Sequence, residues 1–237
     1  MTQATYLWNP PAVVSLPVIG STARYPVNRI FCVGRNYQAH AIEMGMKGVV
    51  KATSRPFYFT KTPSSLVESG ATIPYPPGTA DFHYEMELVV ALGAPGFRVS
   101  EADAEKLIHG YAAGLDMTRR DLQAIARDAG RPWDLSKNFE NAAICSPIVP
   151  AGELGVLDRG AITLAVNGVT RQAGDLSQLI WNIREIIADL SQFYHLQPGD
   201  LIYTGTPEGV GAVKTGDHLS GHIDRVGDIT LTIGAAE

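Results

Sequence analysis

The segment Asp81-Phe82-His83-Tyr84-Glu85-Met86-Glu87-Leu88-Val89-Val90 constrains this chain more than any other stretch. Strand alternation places Phe82, Tyr84, Met86, Leu88 and Val90 on one wholly apolar face, which belongs in a core. The opposite face carries His83, Glu85 and Glu87, then turns apolar at Val89 and Ala91. Two acids therefore point the same way on a strand that runs into a two-sided apolar stretch. Two readings fit them. Either this is a surface strand with two acids, or a cation between them relieves both the repulsion and the poor solvation.

The rest of the chain is punctuated for short strands and turns, with 24 glycines and 15 prolines spread over 237 residues. Residues 30–33 predict a strand leading into Gly34-Arg35-Asn36-Tyr37. Residues 40–46 predict a short helix, and residues 57–59 a strand before Lys61. Ser100 is placed to cap a helix over 101–108, and residues 110–117 predict a strand. Thr118-Arg119-Arg120-Asp121 resembles a capping box opening a helix that stops at Gly130. Asn167-Gly168, between apolar runs at 162–166 and 169–171, is a hairpin signal. Residues 179–193 have helical spacing, and the chain beyond 198 is mostly strand and turn. No βα unit repeats, which sets aside a Rossmann or barrel fold. The expectation is an α+β fold, mainly β with some helices. It forms one domain over 1–237, with a short N-terminal extension over about 1–25.

A net charge of −5, with no basic run longer than Arg119-Arg120, argues against nucleic acid as the main partner. The N-terminus lacks a basic stretch followed by a long apolar one, so no signal peptide is expected. No apolar run approaches the roughly 20 residues of a membrane span. The expected location is cytoplasmic. Cys32 and Cys145 match no zinc spacing and read as reduced core thiols.

Residues two apart on a strand lie about 7 Å apart at Cα, so Glu85 and Glu87 can converge on one ion. Asp116 shares a strand face with Gly110, Ala112 and Gly114, small residues that suit close approach of another strand or a ligand. A strand-end acid starting a turn is the alternative for Asp116. Three carboxylates with no cysteine or paired histidine favour Mg²⁺ or Mn²⁺ over zinc. Calcium is disfavoured because no Asp/Asn-rich loop is present. His40 and Glu43, at i and i+3, meet on one helix face. A carboxylate there orients and raises the basicity of an imidazole, as a general base needs, though a solvated helix turn has the same spacing. Lys137 lies in an aromatic-flanked stretch with few charges. It suits enolate or carboxylate stabilisation, or a loop lysine lying along apolar surface. The loop from Tyr203 to Gly211 lacks the Gly-Lys-Ser/Thr of a nucleotide loop. It suits a rigid loop presenting Thr206 and backbone N–H groups to an anion.

Together these segments resemble the fumarylacetoacetate hydrolase superfamily from about Arg29 to the C-terminus. The resemblance rests on Gly34-Arg35-Asn36-Tyr37 with His40-x-x-Glu43, Phe57-Tyr58-Phe59-Thr60-Lys61, and His83-Tyr84-Glu85-Met86-Glu87-Leu88. It continues through Gly114-Leu115-Asp116-Met117-Thr118-Arg119-Arg120-Asp121-Leu122-Gln123, Gly130-Arg131-Pro132-Trp133, Lys137 and the loop around Thr206. Relatives often have two histidines before the first glutamate, where this chain has His83-Tyr84. Asp175-Leu176-Ser177-Gln178-Leu179-Ile180-Trp181 points to the branch that hydrolyses fumarylpyruvate in gentisate catabolism.

The resemblance implies mixed β-sheets rolled around a metal site, and a homodimer. It implies Glu85, Glu87 and Asp116 as ligands of Mg²⁺ or Mn²⁺, His40 with Glu43 as a catalytic dyad, and Lys137 as a site lysine. Arg35, Tyr37, Lys61, Arg120, Gln123 and Thr206 become candidate substrate contacts. Arg35 or Arg120 is expected to hold a distal carboxylate. The implied activity is metal-dependent hydrolysis of a C–C bond in a small diketo acid, a 3-acylpyruvate such as fumarylpyruvate. Oxaloacetate decarboxylation, a dienoate isomerase or hydratase, and a non-catalytic binding protein are the competing readings.

Overall fold

The computed structural model describes residues 5–45 and 47–236, so the predicted helix end at Met46 lies outside the described residues. The architecture is built on a mixed eight-stranded sheet. Its strands run in the order Phe57–Lys61, Arg29–Gly34, Asp200–Tyr203, Met86–Leu92, Ile108–Asp116, Ala143–Cys145, Leu66–Glu68. Val149–Pro150 pairs further along Ile108–Asp116. Two of the pairings are parallel, Asp200–Tyr203 with Arg29–Gly34 and Ala143–Cys145 with Leu66–Glu68.

The central strands are buried on both faces, as near-continuous apolar runs require. One face packs under a five-stranded sheet ordered Val169–Asp175, Ala161–Val166, His218–Ile223, Gly227–Ala236, Thr72–Tyr75, together with helix Ile183–Leu190. The other packs under Leu16, Tyr25 and Val27 of the N-terminal segment. The small residues beside Asp116 are explained by this packing. A Cβ on Gly114 would lie 2.6 Å from the ring of Tyr203, and one on Gly110 would lie 2.4 Å from the Val149 carbonyl oxygen. Cys32 and Cys145 are free thiols inside the same core.

The strand over 81–90 is not continuous. Phe82–Tyr84 pairs with Thr118–Arg119 and Gly211–Val213 in a separate three-stranded sheet, whereas Met86–Leu92 joins the eight-stranded one. The apolar alternation survives because both pieces turn the same face to the core. Glu85 sits at the junction, where its carbonyl accepts from the Asp116 N–H at 2.9 Å.

The predicted helix over 101–108 is one turn, Glu101–Ala104, followed by a 3₁₀ turn at Glu105–Leu107, and Ser100 caps it. Thr118 is not a helix cap. It belongs to a short strand, its hydroxyl is engaged by Asp116 and Lys137, and helix Arg120–Asp128 begins without a side-chain cap. The helix predicted over 179–193 is confined to Ile183–Leu190, opened by an Asn182–Glu185 capping box. Asn167 and Gly168 form the hairpin turn, both at positive φ (51° and 78°). Among the described residues no helix is long and apolar enough to cross a membrane.

Candidate active site

The sheet brings Glu87 and Asp116 together on neighbouring strands, and the interruption of the strand at residue 85 swings Glu85 in beside them. One carboxylate oxygen from each lies within 4.8 Å of the others, and all three residues are buried. Lys137, at the end of the short helix Asp134–Lys137, reaches into the group. Its Nζ donates to Glu85 Oε2, Asp116 Oδ2 and Thr118 Oγ1, each at 2.7 Å. Arg120 Nη2 donates to Glu85 Oε1 at 2.5 Å. Gly205, at φ 103°, turns its N–H to Glu87 Oε2 at 2.7 Å. Asn36 locks that turn by donating to the carbonyls of Trp181 and Thr204.

The charges sort unevenly. Burial favours neutral Glu85, but Lys137 and Arg120 outweigh it and hold its carboxyl well below the usual range. Burial likewise opposes a charged Lys137, but Asp116 and Glu85 outweigh it and raise its pKa. Among the described residues no cation forms an ion pair with Glu87. Burial, with Asp116 and Glu85 adding repulsion, pushes its carboxyl well above the ordinary value. Asp116 Oδ1 lies 2.8 Å from Lys61 Nζ, yet at an angle that leaves it without a directed hydrogen bond. An all-oxygen donor set, one buried oxygen without a hydrogen bond and one carboxyl pushed towards its neutral form all fit a hard divalent cation of the Mg²⁺ or Mn²⁺ kind.

A cavity of about 600 Å³ opens above this group. His40, buried on helix Gln38–Glu43, lines it together with Glu85, Glu87 and Lys137. His40 Nδ1 is 3.2 Å from Glu43 Oε2, and Glu43 Oε1 accepts from the Gly209 N–H at 3.0 Å. The glycine-rich loop thus ties the dyad to the cavity. Thr206 lines the same wall, and its hydroxyl accepts from the buried Gln172 at 2.8 Å.

Of the six candidate substrate contacts, Arg35, Arg120, Gln123 and Thr206 line the cavity and two do not. Tyr37 is buried, and its hydroxyl has no hydrogen-bond partner among the described residues. Lys61 lies behind Asp116 and donates to the carbonyls of Met117 and Lys137. Arg120 lines the cavity but is engaged by Glu85 and Gln123, with its Nε 3.4 Å from His83 Nδ1. His83 therefore contacts Arg120 and not the acidic group, while burial and Arg120 lower its pKa. Sequence reasoning missed Arg127, Arg131, Phe57 and Trp133, all at the cavity wall. Gly130-Arg131-Pro132-Trp133 was visible as a motif but carried no assigned role.

A buried three-carboxylate centre, a charged lysine inside it and a histidine–glutamate pair above it define a metal-dependent enzyme of the carboxylate type. Residues 29–234 match the family model described as fumarylacetoacetate (FAA) hydrolase C-terminal, and the chain belongs to that family. A fumarylpyruvate hydrolase of Ralstonia sp is 62% identical over 189 residues, 80% of this chain and 98% of that protein. An oxaloacetate tautomerase of Escherichia coli (strain K12) is 37% identical over 85% of this chain and 90% of that protein. The crystal structure of fumarylpyruvate hydrolase from Pseudomonas aeruginosa in complex with Mn²⁺ and pyruvate superimposes with a TM-score of 0.93 at 45% identity. It covers 98% of this chain and 100% of that one.

Proposed function

We propose that this chain is a metal-dependent hydrolase of 3-acylpyruvates, splitting fumarylpyruvate into fumarate and pyruvate. The observation that carries the reading is that His40, paired with Glu43, lines the same cavity as Glu85 and Glu87. Hydrolysis needs a base for an attacking water, whereas loss of CO₂ from oxaloacetate does not. The Ralstonia and Pseudomonas aeruginosa relatives support the substrate.

Glu85, Glu87 and Asp116 would hold the cation, which supplies Lewis-acid polarisation of the substrate's 2-oxo group. Glu43 accepts the Nδ1 hydrogen of His40 and leaves Nε2 to take a proton. The proton comes from a water whose oxygen bonds to C4 of the substrate. The C3–C4 bond then breaks, and its electron pair stays with the pyruvate fragment as an enolate. Lys137, held charged by Asp116 and Glu85, sets a fixed positive charge beside that enolate. The proton on His40 passes to C3, and the new fumarate carboxyl releases its own to solvent.

The whole chain acts as one catalytic domain in this reading, a cytoplasmic homodimer in gentisate breakdown. A monomer by light scattering would remove the dimer. The test of function mixes purified protein and Mg²⁺ with fumarylpyruvate, acetylpyruvate and oxaloacetate, following diketo absorbance and pyruvate release. Fumarylpyruvate should be consumed fastest, with equal fumarate and pyruvate. Faster pyruvate and CO₂ production from oxaloacetate would make the chain a lyase instead.

A further inference from the structure

The cavity has two unlike ends. Its floor is buried and acidic, at Glu85 and Glu87. Its mouth is exposed and basic, bordered by Arg127 and Arg131, with Asp134 the one acid among the mouth residues that line it. An acylpyruvate whose acyl group itself ends in a carboxylate is charged at both ends. With its diketo acid head at the floor, its second carboxylate is directed towards the mouth.

The arginines near that path differ in what already occupies them. Arg120 is committed to Glu85 and Gln123. Arg127 pairs with Asp128 at 3.0 Å. Arg35 stacks on the Phe57 ring, 5.0 Å from its centroid. Arg131 makes no ion pair or side-chain hydrogen bond among the described residues.

Its backbone is nevertheless fixed. Helix Arg120–Asp128 ends in a Schellman turn, in which the Arg131 N–H donates to the Ala126 carbonyl at 2.8 Å. The Gly130 N–H donates to the Arg127 carbonyl at 3.1 Å, with Gly130 at φ 62°. Pro132 follows and restricts the next step of the chain. Trp133 then packs edge-on against Phe57, 4.9 Å between centroids. The guanidinium therefore leaves from a rigid point at the cavity mouth, beside an aromatic wall suited to an unsaturated acyl chain.

We infer that Arg131 reads the distal carboxylate of the substrate and selects dicarboxylic acylpyruvates over those with a short neutral acyl group. The inference rests on the hydrolase reading above and replaces Arg35 or Arg120 in that role. A guanidinium fork suits a carboxylate in two parallel hydrogen bonds. The contact is made alike in the ground and transition states, so it acts on KM more than on kcat.

The test compares kcat/KM for fumarylpyruvate and acetylpyruvate in the wild type, Arg131→Ala and Arg131→Lys. Arg159→Ala, which removes an exposed arginine outside the cavity lining, controls for net charge. Arg131→Ala should lower the fumarylpyruvate-to-acetylpyruvate ratio about tenfold, carried by KM, as loss of one partly exposed charge-assisted contact predicts. Arg131→Lys should recover part of it, and Arg159→Ala should leave the ratio in place. An unchanged ratio in Arg131→Ala, or an equal fall in Arg159→Ala, overturns the assignment while the hydrolase reading stands. A wild type that hydrolyses neither substrate overturns both.

Discussion

Lys61→Met separates a charge partner from a substrate contact. The resemblance makes Lys61 a substrate contact, whereas the structure buries its ammonium 2.8 Å from Asp116 Oδ1, behind the cavity wall. Removing one member of a buried ion pair costs about 3–5 kcal/mol when the other is left uncompensated. Asp116 keeps Lys137 at 2.7 Å, which moves the loss to the lower part of that range. The carbonyls of Met117 and Lys137 also lose a donor, at about 1 kcal/mol each. The sum is about 5 kcal/mol, or roughly 10–20 °C in Tm for a chain of this size. A divalent cation adds positive charge beside the same aspartate, and the substitution removes an ammonium that repels it. Saturating Mn²⁺ should therefore raise the Tm of the variant more than that of the wild type. Thermal unfolding of metal-stripped and Mn²⁺-loaded protein measures both effects. A metal-free loss under about 1 kcal/mol, or an equal metal-induced rise in both proteins, refutes the reasoning. An unchanged Tm with a raised KM would return Lys61 to substrate binding.

Other outcomes follow from the same geometry. His40→Ala should lose about 10²–10⁴ in kcat while binding Mn²⁺ as the wild type does; near-normal turnover would assign the base elsewhere. Lys137→Met should slow C–C cleavage, and an effect on substrate affinity alone would make it a binding group. The raised pKa of Glu87 means that the metal-free native state holds a proton that the unfolded chain releases at lower pH. Its contribution to metal-free stability is full below the ordinary glutamate value and is lost as pH rises through the shifted one. Cation binding displaces that proton, so Mn²⁺ affinity should climb with pH and level off above the shifted pKa, as calorimetry in buffers of different ionisation enthalpy would show. Cys32 and Cys145, buried with their thiol pKa values raised, should resist a thiol reagent until the protein unfolds. Rapid native labelling would contradict the packing.

The candidate metal ligands were legible because each depends on a short-range pattern. Glu85 and Glu87 follow from alternation against an apolar face, and Asp116 stands out among small residues on its strand. His40 and Glu43 follow from helical spacing. What stayed hidden depends on partners distant in sequence. Alternation continues through Glu85 although the pairing partners change there, so one strand was read where two sheets meet. Thr118 satisfies the local capping pattern, but Asp116 and Lys137 claim its hydroxyl. Lys61 follows the strand predicted over 57–59, and only the carboxylate it meets reveals its role. The small residues beside Asp116 could face a ligand or a neighbouring strand, and Tyr203 decides for packing at Gly114. Arg131 is placed by a helix-ending turn whose glycine was visible, but its direction into the cavity was not.

The central claim is that Glu85, Glu87 and Asp116 form the cation platform on which a diketo acid is split. Its most direct test titrates Mn²⁺ into metal-stripped protein while following fumarate and pyruvate release from fumarylpyruvate. The account predicts no turnover before metal, a rise that saturates at one ion per chain, and loss of both binding and turnover in Asp116→Asn. Full turnover in stripped protein, or undiminished turnover in Asp116→Asn, would contradict it.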